Sequence, residues 1–322
     1  MKAILKFFVA LGVALSTVSV AIAQDWPKKP IHWMIPITAG NVNDLSARIV
    51  ADKLGSMYGQ RVVVENFAGA GGVLGVQKFL RSENDGYTFG FLPGSTVMIT
   101  PLLYKDAGYD PLKDFVPVAP VMEVPYLVTV NPALGVKTLA DLVKMAKAQP
   151  GKLKFASQFI GSGAHLTAER FFAAAGIKVS VIPYRGVTEA VTSVVSGETQ
   201  FTLQAVSTMA DLVKANQLIA LGVTSKTRLS ALPDVPTTSE TIAGSDGTAW
   251  CGVFALNGTP KEIVEKLARD IDAVLAMPDV IQRFEAAGIY PVRGRQKELA
   301  EKVNVESPIF RKIVADANIK IQ

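Results

Sequence analysis

From residue 31 onward, short β-rich apolar runs alternate with stretches whose apolar positions recur at helical spacing. Residues 31–36, 62–65, 87–92 and 115–121 read as strands. Between them, 44–58 carries Leu45, Ile49, Val50 and Leu54 on one helical face, and a second helix is expected near 72–80. The rhythm repeats, with strands at 126–130, 153–157, 179–183, 200–203 and 218–224. Helices are expected near 139–148, 164–175, 188–196 and 208–215. A turn-rich passage, 228–247, contains Leu232-Pro233-Asp234-Val235-Pro236 and reads as a connector wrapping back over the first block. One more strand, 252–256, and three helices close the chain, the first with Thr259 as N-cap and Pro260 at the first helical position. The pattern predicts an α/β protein of two sheet-based lobes, each with a parallel-type sheet covered by helices on both faces. In such folds ligands sit where loops leave the carboxyl ends of strands, so a cleft between two lobes sets two groups of loops face to face.

The amino terminus changes the picture. Lys2 and Lys6 precede an apolar stretch, 7–20, and Ala21-Ile22-Ala23 follows as a small-x-small cleavage pattern. The stretch is shorter than the roughly 20 residues a spanning helix needs. The reading is a signal peptide over 1–23, cleaved after Ala23, with export to the periplasm and no lipid anchor. No second long apolar run follows, so the exported chain is expected to be soluble. Loss of Lys2 and Lys6 lowers the formal net charge from +5 to +3. The remaining basic residues are scattered, which argues against nucleic acid. Cys251 is the single cysteine, so no intramolecular disulfide forms, and a chain of 322 residues has no need of one.

Two loops carry the candidate chemistry. Residues 36–44, Pro36-Ile37-Thr38-Ala39-Gly40-Asn41-Val42-Asn43-Asp44, leave the first strand and enter a helix, exposing backbone N–H groups that suit a carboxylate. Asp44 is read as a helix cap. Residues 157–165, Ser157-Gln158-Phe159-Ile160-Gly161-Ser162-Gly163-Ala164-His165, form the matching element of the second block, with Ser162 able to offer a hydroxyl and an N–H. The bland reading of either loop is an ordinary turn, and the pairing is what gives them weight. Arg185 could face a second carboxylate, or be a solvated loop charge. Trp33, Phe67, Phe159 and Tyr184 lie near loop ends, and Phe159 is the best placed to face a ligand. Enzymatic readings are thin. Neither glycine cluster fits G-x-G-x-x-G, and no P-loop is present. His32 and His165 are the two histidines, so with one cysteine a zinc site would have to rely on carboxylates, and no metal and no cofactor are expected. Ser162 and His165 could be imagined as a hydrolase pair, but no G-x-S-x-G elbow accompanies them.

An ordered set of segments then becomes informative. It comprises Trp26-Pro27 with Pro30-Ile31, Val62-Val63-Val64-Glu65-Asn66 with Gly69-Ala70-Gly71-Gly72, and Asp85-Gly86-Tyr87-Thr88. Tyr109-Asp110-Pro111-Leu112-Lys113-Asp114-Phe115, Ala148-Gln149-Pro150-Gly151-Lys152-Leu153 and Ile182-Pro183-Tyr184-Arg185-Gly186 continue it. Val223-Thr224-Ser225, Leu232-Pro233-Asp234-Val235-Pro236-Thr237 and Gly258-Thr259-Pro260 complete it. Together they resemble the Bug or TctC family, periplasmic solute-binding proteins of tripartite tricarboxylate transporters. The resemblance implies a two-lobed periplasmic binding protein fold, the type II Venus flytrap, with a hinge and an interlobe cleft. The first lobe would be 25–123 plus 230–322, and the second 124–229. It implies a monomeric receptor, not an enzyme, that closes on a small carboxylate and delivers it to membrane permease subunits. A periplasmic sensor docking on a signalling receptor is the alternative use of the same closure. The ligand-binding residues expected on this reading are Ile37, Thr38, Ala39, Asn41, Asn43, Ser95, Ser157, Phe159, Ser162, Gly163, Ala164, His165, Arg185 and Gln204. The chain departs from the family's P-P-G-G-x-T-D loop, with Thr38, Asn41 and Asn43 in place of a proline, a glycine and the threonine. Gln204 stands where many relatives carry an aspartate that could meet an amino group. A mono- or dicarboxylate that is not an amino acid is therefore expected, with room for an aromatic ring near Phe159.

Overall fold

The computed structural model describes residues 26–158 and 162–316. The expected signal peptide, with its cleavage after Ala23, and Phe159 lie outside the described residues. The strands are β1 (Ile31–Ile35), β2 (Val62–Asn66), β3 (Thr88–Pro93), β4 (Phe115–Val124), β5 (Tyr126–Val130) and β6 (Lys154–Ser157). They continue with β7 (Ser180–Pro183), β8 (Phe201–Ala205), β9 (Ile219–Val223), β10 (Ala249–Leu256) and β11 (Tyr290–Pro291). Two sheets result, one of six strands in the order β11-β4-β10-β3-β1-β2 and one of five in the order β7-β6-β8-β5-β9.

The helices used below are α1 (Val42–Tyr58), α2 (Val73–Leu80), α3 (Gly94–Met98), α4 (Leu139–Ala148) and α5 (Gly163–Ala175). After them come α6 (Val187–Val195), α7 (Val206–Lys214), α8 (Lys261–Leu275), α9 (Pro278–Ala286) and α10 (Gln296–Asp316). Each sheet is sandwiched. Leu54 of α1, Leu267 of α8 and Phe284 of α9 share one buried cluster with Trp33 and Phe91, while Val76, Phe79 and Phe310 pack on the other face of the first sheet. In the second sheet Phe155 and Phe201 meet Leu142 and Phe172 on one face, and Leu127 meets Val194 and Met209 on the other. This is the α/β, two-lobed periplasmic binding protein fold.

The sheets are mixed rather than parallel throughout. β1 runs parallel to β2 and β3, but β10 inserts antiparallel between β3 and β4. Likewise β6 is parallel to β7 and β8, while β5 is antiparallel to β8 and β9. The cause is the pair of crossings between lobes. β4 passes into β5 across Pro125 alone, and the chain returns after β9 to place β10 at the centre of the first sheet, so a strand entering from the other lobe runs against its neighbours.

Two local expectations are corrected. The connector 228–247 does not wrap over the first lobe. Leu229, Leu232 and Val235 pack in a cluster of the second lobe, Ile242 joins the other, and Arg170 Nε on α5 donates to Gly244 O at 3.1 Å. Thr259 is not a cap either, because α8 starts at Lys261 with Pro260 at the N-cap, whose carbonyl accepts from Ile263 and Val264. Helix α10 runs from the first lobe to α5 of the second, and Glu169, Phe172, Ile309 and Ile313 border an apolar groove between them.

Candidate ligand-binding site

A cavity of about 270 Å³ opens between the lobes, beside the strand that crosses from one to the other. Val42, Asn43, Gly94 and Ser95 line it from the first lobe, and Tyr126, Gly163, Val187 and Gln204 from the second. Among the described residues, no Asp, Glu, Lys, Arg or His lines it. Charge enters instead through the backbone. Helices α1, α5, α6 and α7, of 17, 13, 9 and 9 residues, all begin at this wall. Each helix start carries about half a positive charge from its unpaired N–H groups. Four such ends around an uncharged, largely apolar hollow make a site for an anion and a poor one for a cation.

The helix starts differ in finish. At α1, Asn41 is the N-cap, and its Oδ1 accepts from the N–H groups of Asn43 at 2.9 Å and Asp44 at 3.1 Å. Asp44 is not the cap. It is buried in the first turn and reaches back to accept from Gly40 N–H at 2.9 Å, while Arg48 Nε donates to it at 3.0 Å and Asn66 Nδ2 at 3.0 Å. Burial alone would push this carboxyl up, but the bonds from Arg48, Gly40 and Asn66 together outweigh that and hold it below its ordinary value of 3.8. At α5, Ser162 caps by accepting from His165 N–H at 3.1 Å. By contrast, α6 and α7 begin at Gly186 and Ala205 with no side-chain cap.

Close packing shapes the walls. Gly163 lies against the Tyr126 hydroxyl, which a Cβ there would approach to 2.8 Å. A side chain at Gly94 would collide with the Trp250 ring. Trp250 turns its Nε1–H away to Glu306 Oε2 at 2.7 Å, and Lys302 holds that carboxylate at 3.0 Å, so the tryptophan gives the cavity its ring. Cys251 donates its thiol proton to Asn43 Oδ1 at 3.3 Å; burial pushes this thiol well up, so it stays neutral. Asn43 is thereby held with its NH₂ group uncommitted among the described residues. Burial also raises the Tyr126 phenol, which keeps a neutral hydroxyl at the wall.

Of the residues expected at the site, Asn43, Ser95, Gly163 and Gln204 line the cavity. Ser157, Ser162, Ala164 and His165 are buried next to it without lining it. Ile37 packs against the first-lobe core, Thr38 and Ala39 are exposed, Asn41 is spent as a cap, and none of these four reaches the cavity. Arg185 is exposed and away from it, with its backbone N–H on Glu189. Trp33 is core, stacked on Phe91, whereas Phe67 lies under Lys78 and Tyr184 donates its hydroxyl to Glu198. Tyr126, Thr167, Thr208, Trp250 and Phe310 line the cavity without having been singled out. Tyr126 has one signal in hindsight, its place directly after the proline of a strand crossing. The imagined hydrolase pair is not assembled, since the Ser162 hydroxyl oxygen serves the helix and His165 Nε2 lies 3.4 Å from Glu169. Among the described residues no cluster of three metal-binding side chains exists, and no helix is long and apolar enough to cross a membrane.

Residues 46–319 match the family described as the tripartite tricarboxylate transporter family receptor, TctC. This chain is a member of the TctC family. A UPF0065 protein of Pseudomonas sp. strain P51 is 32% identical over 96% of this chain and 92% of its own length. BugT of Bordetella pertussis is 33% identical over 89% of this TctC chain and 90% of its own. Among solved structures, an R. palustris protein with adipate is 29% identical, covers 92% of this chain and 99% of its own, and superposes with a TM-score of 0.73. MatC from Rhodopseudomonas palustris with bound malate is 25% identical over 90% of this chain and 100% of its own, with a TM-score of 0.69. Family and fold make the protein a solute-binding receptor and not an enzyme.

Proposed function

We propose that this receptor captures a small mono- or dicarboxylate lacking an amino group in the interlobe cavity, closes its lobes over it, and delivers it to the membrane permease subunits of a tripartite tricarboxylate transporter. The observation that carries the reading is the convergence of four helix starts, those of α6 and α7 without a side-chain cap, on a cavity that no charged side chain lines among the described residues. A carboxylate gains from those N–H groups, and an ammonium group meets no countercharge. That the R. palustris neighbours hold adipate and malate supports a carboxylate. We assign the first lobe as 25–123 plus the chain from β10 onward, and the second as 124–229 together with the connector that packs on it, with the strand crossing at Pro125 as part of the hinge. Export rests on the leader pattern at 1–23, and action as a monomer on the closure of one cleft within one chain.

A thermal-shift screen of the purified protein against aliphatic, hydroxylated and aromatic acids, with amino acids and amines as controls, tests this. A ligand at one hundred times its Kd stabilises by about 2.7 kcal/mol. That raises the midpoint by several degrees, at roughly 2–4 °C per kcal/mol for chains of this order of size. Shifts with carboxylates alone are expected, and a response to amines in place of acids would overturn the reading.

A further inference from the structure

The second-lobe wall carries a polar group that the helix starts do not explain. Gln204, near the end of β8, is 1% exposed and lines the cavity. Its orientation follows from its neighbours. Thr202 Oγ1 donates its proton to Ala156 O at 2.7 Å, so that hydroxyl oxygen can only accept from elsewhere. Gln204 Nε2 supplies the bond, at 3.3 Å. The amide is thus turned so that Oε1 is the atom left for the cavity, and it has no hydrogen-bond partner among the described residues. An amide oxygen only accepts, so whatever fills the space beside it must bring a donor. The Tyr126 hydroxyl, on the adjacent strand and 7% exposed, also has no partner among the described residues.

A ligand donor could be an ammonium or a hydroxyl group. The first is disfavoured here, because a neutral amide gives it no countercharge and the surrounding helix starts repel it. A hydroxyl suffers neither penalty and can in turn accept from a phenol. We propose that Gln204 is the specificity-determining acceptor for a hydroxyl group on the ligand's carbon chain, so that the receptor selects a hydroxycarboxylate over both the unsubstituted acid and the amino acid. This rests on the carboxylate reading above and narrows it.

The test is calorimetric titration of protein refolded from denaturant, which empties the cavity. The probes are matched sets differing in one substituent: succinate, malate and aspartate; adipate, 2-hydroxyadipate and 2-aminoadipate; butyrate, 2-hydroxybutyrate and 2-aminobutyrate. In whichever set fits the cavity, the hydroxy acid should bind about tenfold more tightly than its parent, the worth of one buried hydrogen bond. The amino acid should bind weakest. Gln204→Met keeps the volume without the acceptor and should bring the hydroxy acid down to its parent's affinity. Gln204→Glu should raise the amino acid above the other two. Equal binding of parent and hydroxy acid by the wild-type protein overturns the inference and leaves the carboxylate reading standing, with water meeting Oε1. A hydroxyl preference that survives Gln204→Met also overturns it. No binding by any set overturns the carboxylate reading and the inference with it. The wild-type comparison decides even if a variant fails to fold.

Discussion

At the corner after β1, α1 is closed by its own residues: Asn41 takes the N–H groups of Asn43 and Asp44, and Asp44 takes that of Gly40. At the corners leading into α6 and α7 the helices begin at Gly186 and Ala205 with no side chain over their first N–H groups. The first corner is half exposed and braced by a buried carboxylate that Arg48 and Asn66 hold. The second-lobe corners sit at the cavity beside a buried amide and a buried phenol. Side chains that satisfy a helix start internally make it rigid but take it out of ligand recognition. Those left off make the start costly until a ligand arrives. Asn41 and Asp44 of the first-lobe corner therefore belong to stability, and the uncapped second-lobe corners to binding.

Substitutions should separate the two roles. The largest effect is expected from Gly163→Val, which drives a side chain toward the Tyr126 hydroxyl and into the cavity. Ligand affinity should fall on the order of a hundredfold in a calorimetric titration, with overpacking against Tyr126 costing the unliganded fold about 1–3 kcal/mol. Asp44→Ala should act chiefly on stability. It leaves Gly40 N–H unmet and loosens Arg48 and Asn66, costing about 2 kcal/mol in a denaturant titration with ligand affinity changed much less. Asn41→Ala removes the cap and the exposed bond from Nδ2 to Thr38 O, and should cost about 1 kcal/mol by the same measurement.

Acid gives a smaller, local effect. In the connector, hydrogen bonding by Arg228, followed by the Thr237 N–H, pulls the Glu240 carboxyl down to about 2 from its ordinary 4.5. A depressed folded value means the contribution is present above about 4.5 and is lost as pH falls toward 2. Hydrogen exchange at the short helix Thr238–Thr241 should accelerate across that window, and Glu240→Gln should show the faster exchange already at neutral pH. The smallest effect is expected from Arg185→Ala. The side chain is exposed and off the cavity, so stability should change by less than about 0.5 kcal/mol and affinity not at all. A tenfold loss of affinity in Arg185→Ala would place the binding face elsewhere than the cavity described here.

The elements were legible because burial in a sheet or on a helix face leaves a period that hydropathy records. The helix 42–58 and the strands of both blocks fall within a few residues of the apolar pattern that predicts them. Asp44 shows the limit of such reading. An acidic residue at the start of a helical run looks like a cap, and only the backbone geometry shows that Asn41 fills that place while Asp44 folds back to Gly40. Sheet direction was harder still, since β10 lies more than 120 residues past β4 in sequence yet pairs with it in antiparallel register.

The sequence by itself determined the α/β class, the two blocks, the family and the absence of metal-binding or nucleotide-binding motifs, because these depend on local periodicity and on residue types in order. The tertiary structure alone decided which residues of the two strand-to-helix corners reach the cavity, that Trp250 and Phe310 complete its wall, and that Gln204 presents an acceptor. Those facts depend on the direction each side chain takes after two lobes have been joined twice, and on which donors its neighbours have already used. A linear pattern records that a residue is buried. It does not record which atoms of that residue are left without a partner.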